Sequence, residues 1–535
     1  MARQIIVLSG PICSGKTELG DELIGRFPER VFRFKTREWI RERKGTPSER
    51  GPLQGAGADL DQRTQGRWVR DELARRVSDL PENAVVLVDS ARIKEQIDGV
   101  RDGFGLGVTH VHLKAPEAEL ERRFRKRRGA VRERKTFQAA RNDPTEKKVD
   151  ELEQCADIVI DTHRNTPRDL GVRMGSHIGL YGRGNDRLVD VLVGGQYGSE
   201  GKGQVAAYLA PEYSVLVRVG GPNAGHSVFG RPPRKFHHLP SGTDWAEDAQ
   251  IVLGPGAVLW LESLRREISQ SQLTPGRLFI DPQAMIIEPK DRRFEEKLVR
   301  SIGSTGQGVG AATARKVMRD RWRRPVRLAR DVNVLHDYLR ETRDVLDDAF
   351  AAGRRVLLEG TQGTGLSLHH GHYPHVTSRD TTVGGCLAEA GVAPSRVRKI
   401  VMVCRSYPIR VQDPEGGTSG YMSRPISWAE VARRCDYSAA ALRRSERTTT
   451  TNRMRRAAEF DWHLFRRAVS LNGPTDVALT FADYLGSGNQ DARRFEQLNE
   501  ETIRFIQEME TVSGAPVSLI ATRFHYRSII DRRNW

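Results

Sequence analysis

Apolar positions in this chain come in short runs separated by charged or glycine-rich stretches. QIIVLS (4–9), AVVLVD (84–89), THVHLKAP (109–116) and ADIVIDT (156–162) read as buried strands. ELGDELIGRF, opening after Thr17, and the charged EAELERRFRKRR read as helices. Strands alternating with helical patterns predict a parallel α/β sheet with helices on both faces. After Thr162 the alternation stops. HRNTPRDLGVRMGSHIGLYGRGNDR is polar, rich in Gly and Arg, and shows no apolar period. The pattern therefore predicts a first domain over 1–162, a linker over 163–187 and a second domain over 188–535, opening on the strand-like LVDVLVGG (188–195). The expected fold class is α/β, with two domains, each around a mainly parallel sheet.

Composition narrows the setting. At roughly 100–200 residues per domain, 535 residues suggest two to four domains. Hydrophobic residues make up 38% of the chain, enough for packed cores. No apolar stretch approaches the ~18 residues of a membrane span, and MARQIIVLSG lacks the segments of a signal peptide. Cys13, Cys155, Cys386, Cys404 and Cys435 are widely spaced with no CxxC pair. That usage points to a reduced, cytoplasmic setting and away from a disulfide framework or a zinc site. The net charge of +17 admits nucleic-acid binding as one reading. A phosphate-handling enzyme is the other. The arginines are spread along the chain (RRFRKRR, RDRWRRPVR, RRSERTTTTNRMRR) with no sustained aromatic-interleaved stripe and no DNA-reading motif, which favours nucleotide chemistry over nucleic acid. No membrane partner is expected.

GPICSGKT (10–17) fits G-x-x-x-x-G-K-T between a strand and a helix, the setting in which that loop cradles phosphates. Gly10 and Gly15 allow the tight backbone, Lys16 would reach the β- and γ-phosphates of ATP, and Thr17 would hold Mg²⁺. Asp89, at the end of VVLVD, is a candidate to assist the metal. HLKAPEAELERRFRKRRG resembles the strand and lid of small P-loop nucleoside and nucleotide kinases. That resemblance implies lid arginines over the transferring phosphate, with Arg122, Arg125 and Arg127 as candidates and a solvated helix face as the alternative. The acceptor stays open.

A second glycine-rich loop, GGQYGSEGKG (194–203), is not a standard phosphate loop, because Gln196 stands where the spacing needs glycine. It is followed by VRVGGPNAGHSV (217–228), HHLPSG (237–242), GSTGQGVG (303–310), LEGTQGTGLSLHHGHYPHVTSRDTTVGG (358–385) and TTTTNRMRR (448–456). In this order and spacing, residues 188 to about 521 resemble the adenylosuccinate synthetase family. The resemblance implies joining of L-aspartate to C6 of a purine nucleotide monophosphate through a 6-phosphoryl intermediate, with an NTP and Mg²⁺. It implies Lys202 on the NTP phosphates beside Gly198, Gly201 and Gly203, His226 at O6, Gly225 as a carbonyl donor to the metal, and Asn223 on the purine side. It further implies Thr305 and Gln362 on the nucleotide, and Thr450, Thr451, Arg453 and Arg455 on the aspartate. The family commonly forms homodimers with an arginine from the partner in the site, and RDRWRRPVR (319–327) lies near the matching region.

Two departures stand out. The family has an aspartate, its general base at N1 and a metal ligand, where this chain has Ser199. General-base help is worth about 10²–10⁴-fold. The chain is therefore inactive, or another group such as Glu200, a substrate carboxylate or water takes the proton, or the substrate has changed. A small hydroxyl makes room for a 2-amino group next to N1, so GMP or dGMP is the favoured substrate. The viral 2-aminoadenylosuccinate synthetases, which act on dGMP, resemble this chain in carrying a small residue here. IMP is the alternative substrate, and a catalytically dead nucleotide sensor is the alternative class. The second departure lies in LTFADYL (479–485), which matches the guanine-reading segment. Asp483 is kept, the expected lysine is Phe481, and the Gly-Pro expected near LIATRFHYRS (519–528) is absent. The ligase NTP is therefore left as ATP or GTP.

Overall fold

The structure is a computed structural model that describes the chain except residues 1–3, 46–49, 127–135, 143, 182–185, 231, 321, 324, 449 and 526. The chain forms two compact units, Met1–Leu180 and Tyr181–Trp535.

The first unit is built on five parallel strands in the order Val31–Lys35, Val85–Asp89, Gln4–Ser9, Val108–Lys114, Ile158–Asp161. The strand Gln4–Ser9 is central, so its apolar run Ile5–Leu8 is buried on both faces. The strand Val31–Lys35 (VFRFK) was not anticipated from the sequence. It alternates apolar with cationic residues at the sheet edge, where one face stays half-open.

The expected linker at 163–187 needs correcting. Its first half is the helix Pro167–His177. Thr166 caps it through the Asp169 N–H, the Asp169 carboxylate returns a bond to the Thr166 N–H, and Pro167 sits in the first turn. Leu170 and Met174 are buried against helix Lys16–Arg26. Two glycines hid the period. At Gly171 a Cβ would stand 2.6 Å from Glu22 Cγ, so the position is small because the helices touch there.

The second unit is built on a nine-stranded sheet in the order Leu278–Ile280, Gln250–Leu253, Val215–Arg218, Val356–Glu359, Val189–Gly194, Val397–Arg405, Asp476–Thr480, Val517–Ala521, Ile529–Asp531. All pairs are parallel except the last. Val189–Gly194 lies in the middle and is buried throughout. Gly194, Arg218, Glu359, Arg405 and Thr480 each end a strand, so the loops that follow cluster at the carboxyl edge, where open α/β sheets bind ligands. A small antiparallel sheet (Ile409–Val411, Arg455–Ala458, Pro425–Ile426) carries the TTTTNRMRR segment.

None of the five cysteines is in a disulfide. Among the described residues, no helix is long and apolar enough to cross a membrane.

Candidate functional sites

In the first unit, Gly10 (φ +135°) and Gly15 (φ +101°) take backbone conformations that other residues rarely adopt. A Cβ on Gly10 would lie 2.3 Å from the Leu113 carbonyl oxygen. Lys16 Nζ curls onto its own loop, donating to the carbonyls of Gly10 (2.7 Å) and Pro11 (2.9 Å) and to Ser14 Oγ (3.2 Å). Burial, with the charge of Arg92 added, lowers its pKa to about 8. Lys16, Thr17 and Asp89 line one cleft of about 1500 Å³. A threonine hydroxyl and a carboxylate are hard oxygen donors of the kind Mg²⁺ takes beside substrate phosphates.

The lid arginines divide. Arg122 lines this cleft while paired to Glu119 (2.7 Å). Arg125 instead pairs with Glu121 (2.7 Å) on an exposed face and is not among the residues lining the cleft. Arg127 lies outside the described residues. The sequence reading missed Arg123. Its Nη1 donates to the Cys13 carbonyl (3.3 Å) and Thr162 Oγ1 (2.9 Å), and its Nη2 to the Thr162 carbonyl (2.8 Å). Adjacent residues of helix Glu117–Lys126 point about 100° apart, and only packing says which arginine of the run faces the loop.

In the second unit, Gly198 (φ +102°) and Gly201 (φ +81°) shape the loop, and Gly201 caps helix Lys202–Leu209. A Cβ on Gly203 would meet His226 Cβ at 3.0 Å, so its lack of a side chain brings this helix against the histidine. Lys202 is buried, with Nζ 2.6 Å from Glu200 Oε2. Glu200 Oε1 accepts the backbone N–H of Gln196 (3.1 Å) and of Gly198 (2.7 Å). Both oxygens are thus engaged in holding the loop and its lysine, which counts against Glu200 as a replacement base.

Ser199 lines a second cavity, of about 270 Å³, with Gly198, Asn223, Gly225, Thr305 and Gln362. Its carbonyl accepts from Arg405 Nη1 (3.3 Å). The Thr305 carbonyl is held by Gln307 Nε2 (3.2 Å). Asn223 Nδ2 donates to Thr377 Oγ1 (3.2 Å), whereas its Oδ1 is buried without a partner. Gln362 Oε1 accepts from Thr361 Oγ1 (2.9 Å), and its Nε2 is likewise unsatisfied. Arg410, which the sequence reading missed, lies over the Tyr197 ring (4.5 Å) and donates through Nη2 to the His375 carbonyl (2.8 Å), with Nη1 unsatisfied. Buried polar atoms are rarely left unpaired. These three lie on residues of one cavity, as in a site that awaits a polar ligand.

His226 is buried and is not among the residues lining this cavity. Its Nδ1 makes a short bond to Glu359 Oε1. Glu359 also accepts from the Ser241 N–H (2.7 Å) and Ser241 Oγ (2.5 Å) and lies 3.5 Å from Arg218. Burial and then Arg218 push His226 down to about 4. Burial alone would raise Glu359, but its bond to His226 and the charge of Arg218 bring it to about 2. The imidazole is therefore neutral, Glu359 fixes the tautomer with the proton on Nδ1, and Nε2 is buried without a partner. A phosphate dianion arriving at Nε2 would favour the imidazolium. Glu359 was passed over in the sequence. Its signal is a carboxylate ending the buried strand VLLE, just before GTQGTG.

Thr450, Thr451 and Arg455 also line the cavity. Thr448 Oγ1 braces this loop, 2.8 Å from Thr451 Oγ1 and accepting the Arg453 N–H (2.9 Å). The Arg453 side chain is not among the lining groups. Arg455 and Arg405 share the buried Glu446 (3.0 and 2.9 Å). Burial would raise that carboxyl, but the two arginines hold it below its ordinary value. Asp483 also stands apart from the cavity. Its Oδ2 accepts from the Tyr437 hydroxyl (2.8 Å), Oδ1 is buried and unsatisfied, and burial lifts its pKa to about 7. Phe481, in a left-handed conformation (φ +56°), lays its ring on the Arg405 guanidinium at 3.9 Å and beside Gly201.

The adenylosuccinate synthetase family model matches residues 191–332 and 326–490. Adenylosuccinate synthetase of Methanocaldococcus jannaschii is 35% identical over 353 residues, covering 64% of this chain and 96% of that protein. The enzyme of Thermococcus onnurineus is 37% identical over 354 residues, with coverage of 64% and 98%. Among solved structures, the cyanophage S-2L succinoaminodeoxyadenylate synthetase bound to dGMP and dATP matches with a TM-score of 0.54 at 27% identity, over 65% of this chain and 96% of that one. The fully ligated Plasmodium falciparum adenylosuccinate synthetase matches in fold, with a TM-score of 0.56 at 20% identity over 65% and 100%.

Proposed function

Because the chain belongs to the adenylosuccinate synthetase family, we propose that its second unit joins L-aspartate to C6 of a 6-oxopurine nucleotide and prefers GMP or dGMP. The γ-phosphoryl group of an NTP passes to O6, the aspartate amine then bonds to C6, and the C6–O6 bond breaks to release phosphate. Lys202, freed from Glu200 by an arriving triphosphate, holds the phosphates. His226, backed by Glu359, meets the phosphoryl group at O6 as acid and charge stabiliser. Asn223, Thr305 and Gln362 hold the nucleotide. Thr450, Thr451 and Arg455 take an aspartate carboxylate, and Arg453 closes on it from beside the loop. Mg²⁺ would draw on the Gly225 carbonyl and the Ser199 hydroxyl, a thin set that leaves phosphate oxygens to complete its shell.

One observation carries the guanine preference. The cavity has a small hydroxyl, Ser199, and no carboxylate free to act as a base among its described lining residues. Its carboxylate, Glu295, accepts the N–H groups of Gly308 (2.7 Å), Gly310 (2.6 Å) and Ala311 (3.0 Å). The space beside N1 then suits a 2-amino group. The dGMP bound in the cyanophage structure supports the same reading. Its dATP energy donor supports a separate part of the reading: Phe481 in place of lysine, and Asp483 turned to Tyr437, fit ATP as the energy donor at least as well as GTP. The archaeal adenylosuccinate synthetases favour a second reading, IMP as substrate. A cytoplasmic homodimer is part of the proposal.

We further read the first unit as a phosphotransferase. Lys16 and Arg123 serve the phosphates of ATP, and Thr17 and Asp89 would hold Mg²⁺.

The test offers the full chain L-aspartate, Mg²⁺ and ATP or GTP with IMP, GMP or dGMP separately, and detects the succinyl adduct by mass. Adduct with the guanine nucleotides supports the proposal. Adduct with IMP alone returns the chain to ordinary adenylosuccinate synthesis. No adduct with any of them makes it a nucleotide sensor.

A further inference from the structure

The first unit's cleft, at about 1500 Å³, is larger than the ~300–1,000 Å³ typical of a pocket for one small ligand. Its residues can be ordered outward from the phosphate loop by their bonds. Thr36 Oγ1 donates to the Ser90 carbonyl (3.0 Å) and accepts the Ser90 N–H (3.2 Å), which sets the start of helix Thr36–Lys44, and with it Arg37, beside Asp89. Three residues past Asp89, the Arg92 N–H donates to Gln96 Oε1 (2.8 Å). Gln96 Nε2 in turn donates to Asp61 Oδ1 (2.8 Å), as does Trp68 Nε1 (2.7 Å). Gln96 and Trp68 are buried, so they fix the Asp61 carboxylate on the cleft wall with both bonds on one oxygen. Gln54, Gly57, Ala58 and Asp61 recur on one side of helix Arg50–Thr64 and all line the cleft. Gly57 lets the helix close on Ile40, which with Leu53 gives an apolar wall.

An anchored carboxylate with one oxygen unclaimed by those bonds is an acceptor of N–H groups. Guanine presents two adjacent donors, N1–H and the 2-amino group. Adenine sets its single donor beside the N1 lone pair, which a carboxylate repels. Arg92, paired with Glu146, lies close enough to the phosphate loop for its charge to act on Lys16, and Arg37 lines the same cleft, so an acceptor phosphate would sit between them and the loop.

We propose that this cleft binds a guanine nucleoside monophosphate beside the NTP, with Asp61 accepting the base N–H donors, and phosphorylates it. This rests on the phosphotransferase reading of the first unit. An oxygen of the acceptor phosphate bonds to the γ-phosphorus of ATP as the bond to the β-bridging oxygen breaks. ADP leaves, and a guanosine diphosphate forms with no change of oxidation state.

The test incubates the full chain with ATP and Mg²⁺ and, separately, GMP, dGMP, AMP, guanosine and a small polyol, and follows ADP and the phosphorylated product. GMP or dGMP should exceed AMP at least 100-fold in kcat/KM. Asp61→Asn keeps one acceptor oxygen for Trp68 and Gln96 and should raise the KM for GMP at least tenfold, with ATP affinity unchanged. Gln54→Ala, a half-buried change outside the Asp61 anchor, should weaken GMP in the same direction and guards against a folding defect. AMP used as well as GMP, or both variants leaving the KM for GMP alone, would overturn the base assignment. Guanosine or the polyol preferred over GMP would overturn the monophosphate and leave a kinase of another class. Bound ATP with no transfer to any acceptor would overturn the phosphotransferase reading itself.

Discussion

At the scale of the residue, the proposed guanine preference turns on Ser199. A carboxylate at this point would serve as the base at N1 and crowd C2, whereas a hydroxyl does neither. Ser199→Asp is expected to lower kcat/KM for GMP at least tenfold and to raise it for IMP, the second change bounded by the 10²–10⁴-fold worth of general-base help. Steady-state kinetics with both nucleotides checks this, and unchanged preference would remove Ser199 from the specificity argument. Its neighbour Glu200 shows how a residue type can mislead. A glutamate beside a missing aspartate suggests a substitute base, but its oxygens are spent on Lys202 and two backbone N–H groups. The imidazole of His226 was legible from GGPNAGH, while its partner Glu359, 133 residues away, was not. Pairing across that separation arises because the neighbouring strands Val215–Arg218 and Val356–Glu359 end at the same edge, and the segment carrying His226 follows Arg218.

At the scale of the element, glycine placement governs both glycine-rich loops. Gly201 holds φ +81° at the start of helix Lys202–Leu209, with Thr480 and Phe481 at ordinary contact distance from a would-be Cβ. The cost of a side chain there is conformational and not steric. Gly201→Ala is expected to destabilise the second unit by about 1–2 kcal/mol, the penalty for a left-handed L-residue. Thermal unfolding of the full-length variant would show the second unit melting a few degrees lower, and an unshifted transition would mean that the loop relaxes. The same reasoning explains the helix Pro167–His177. Its cap and proline were visible in NTPRD, but Gly171 and Gly175 broke the apolar period that marks a helix. Gly171 makes sense only against helix Lys16–Arg26, where its would-be Cβ meets Glu22. Arg123 was lost within RRFRKRR for a related reason, since a run of arginines does not say which of them faces inward.

At the scale of the whole molecule, two separate, mainly parallel sheets each lead into a glycine-rich loop, and the two proposed chemistries are expected to be separable. In the full-length chain, Lys16→Ala should abolish phosphoryl transfer by the first unit and leave succinyl-adduct formation within about twofold, and Lys202→Ala should do the reverse. Assaying both reactions on both variants checks this, and loss of both activities from either change would show that the units act as one. The sequence alone determined the two α/β units, the two loops and the order of the family's motifs, because these rest on local patterns: apolar runs, glycine spacing and short contiguous blocks. It also carried the two departures, Ser199 and Phe481, since a substitution within a motif is visible without coordinates. Tertiary structure decided the partners. Glu359 behind His226, Arg410 over Tyr197, Arg405 between Ser199 and Glu446, and Asp61 held by Trp68 and Gln96 are meetings of residues from different strands and loops. Burial then set which carboxylates are occupied and which polar atoms await a ligand, and burial is a property of how elements pack, which no single stretch of sequence contains.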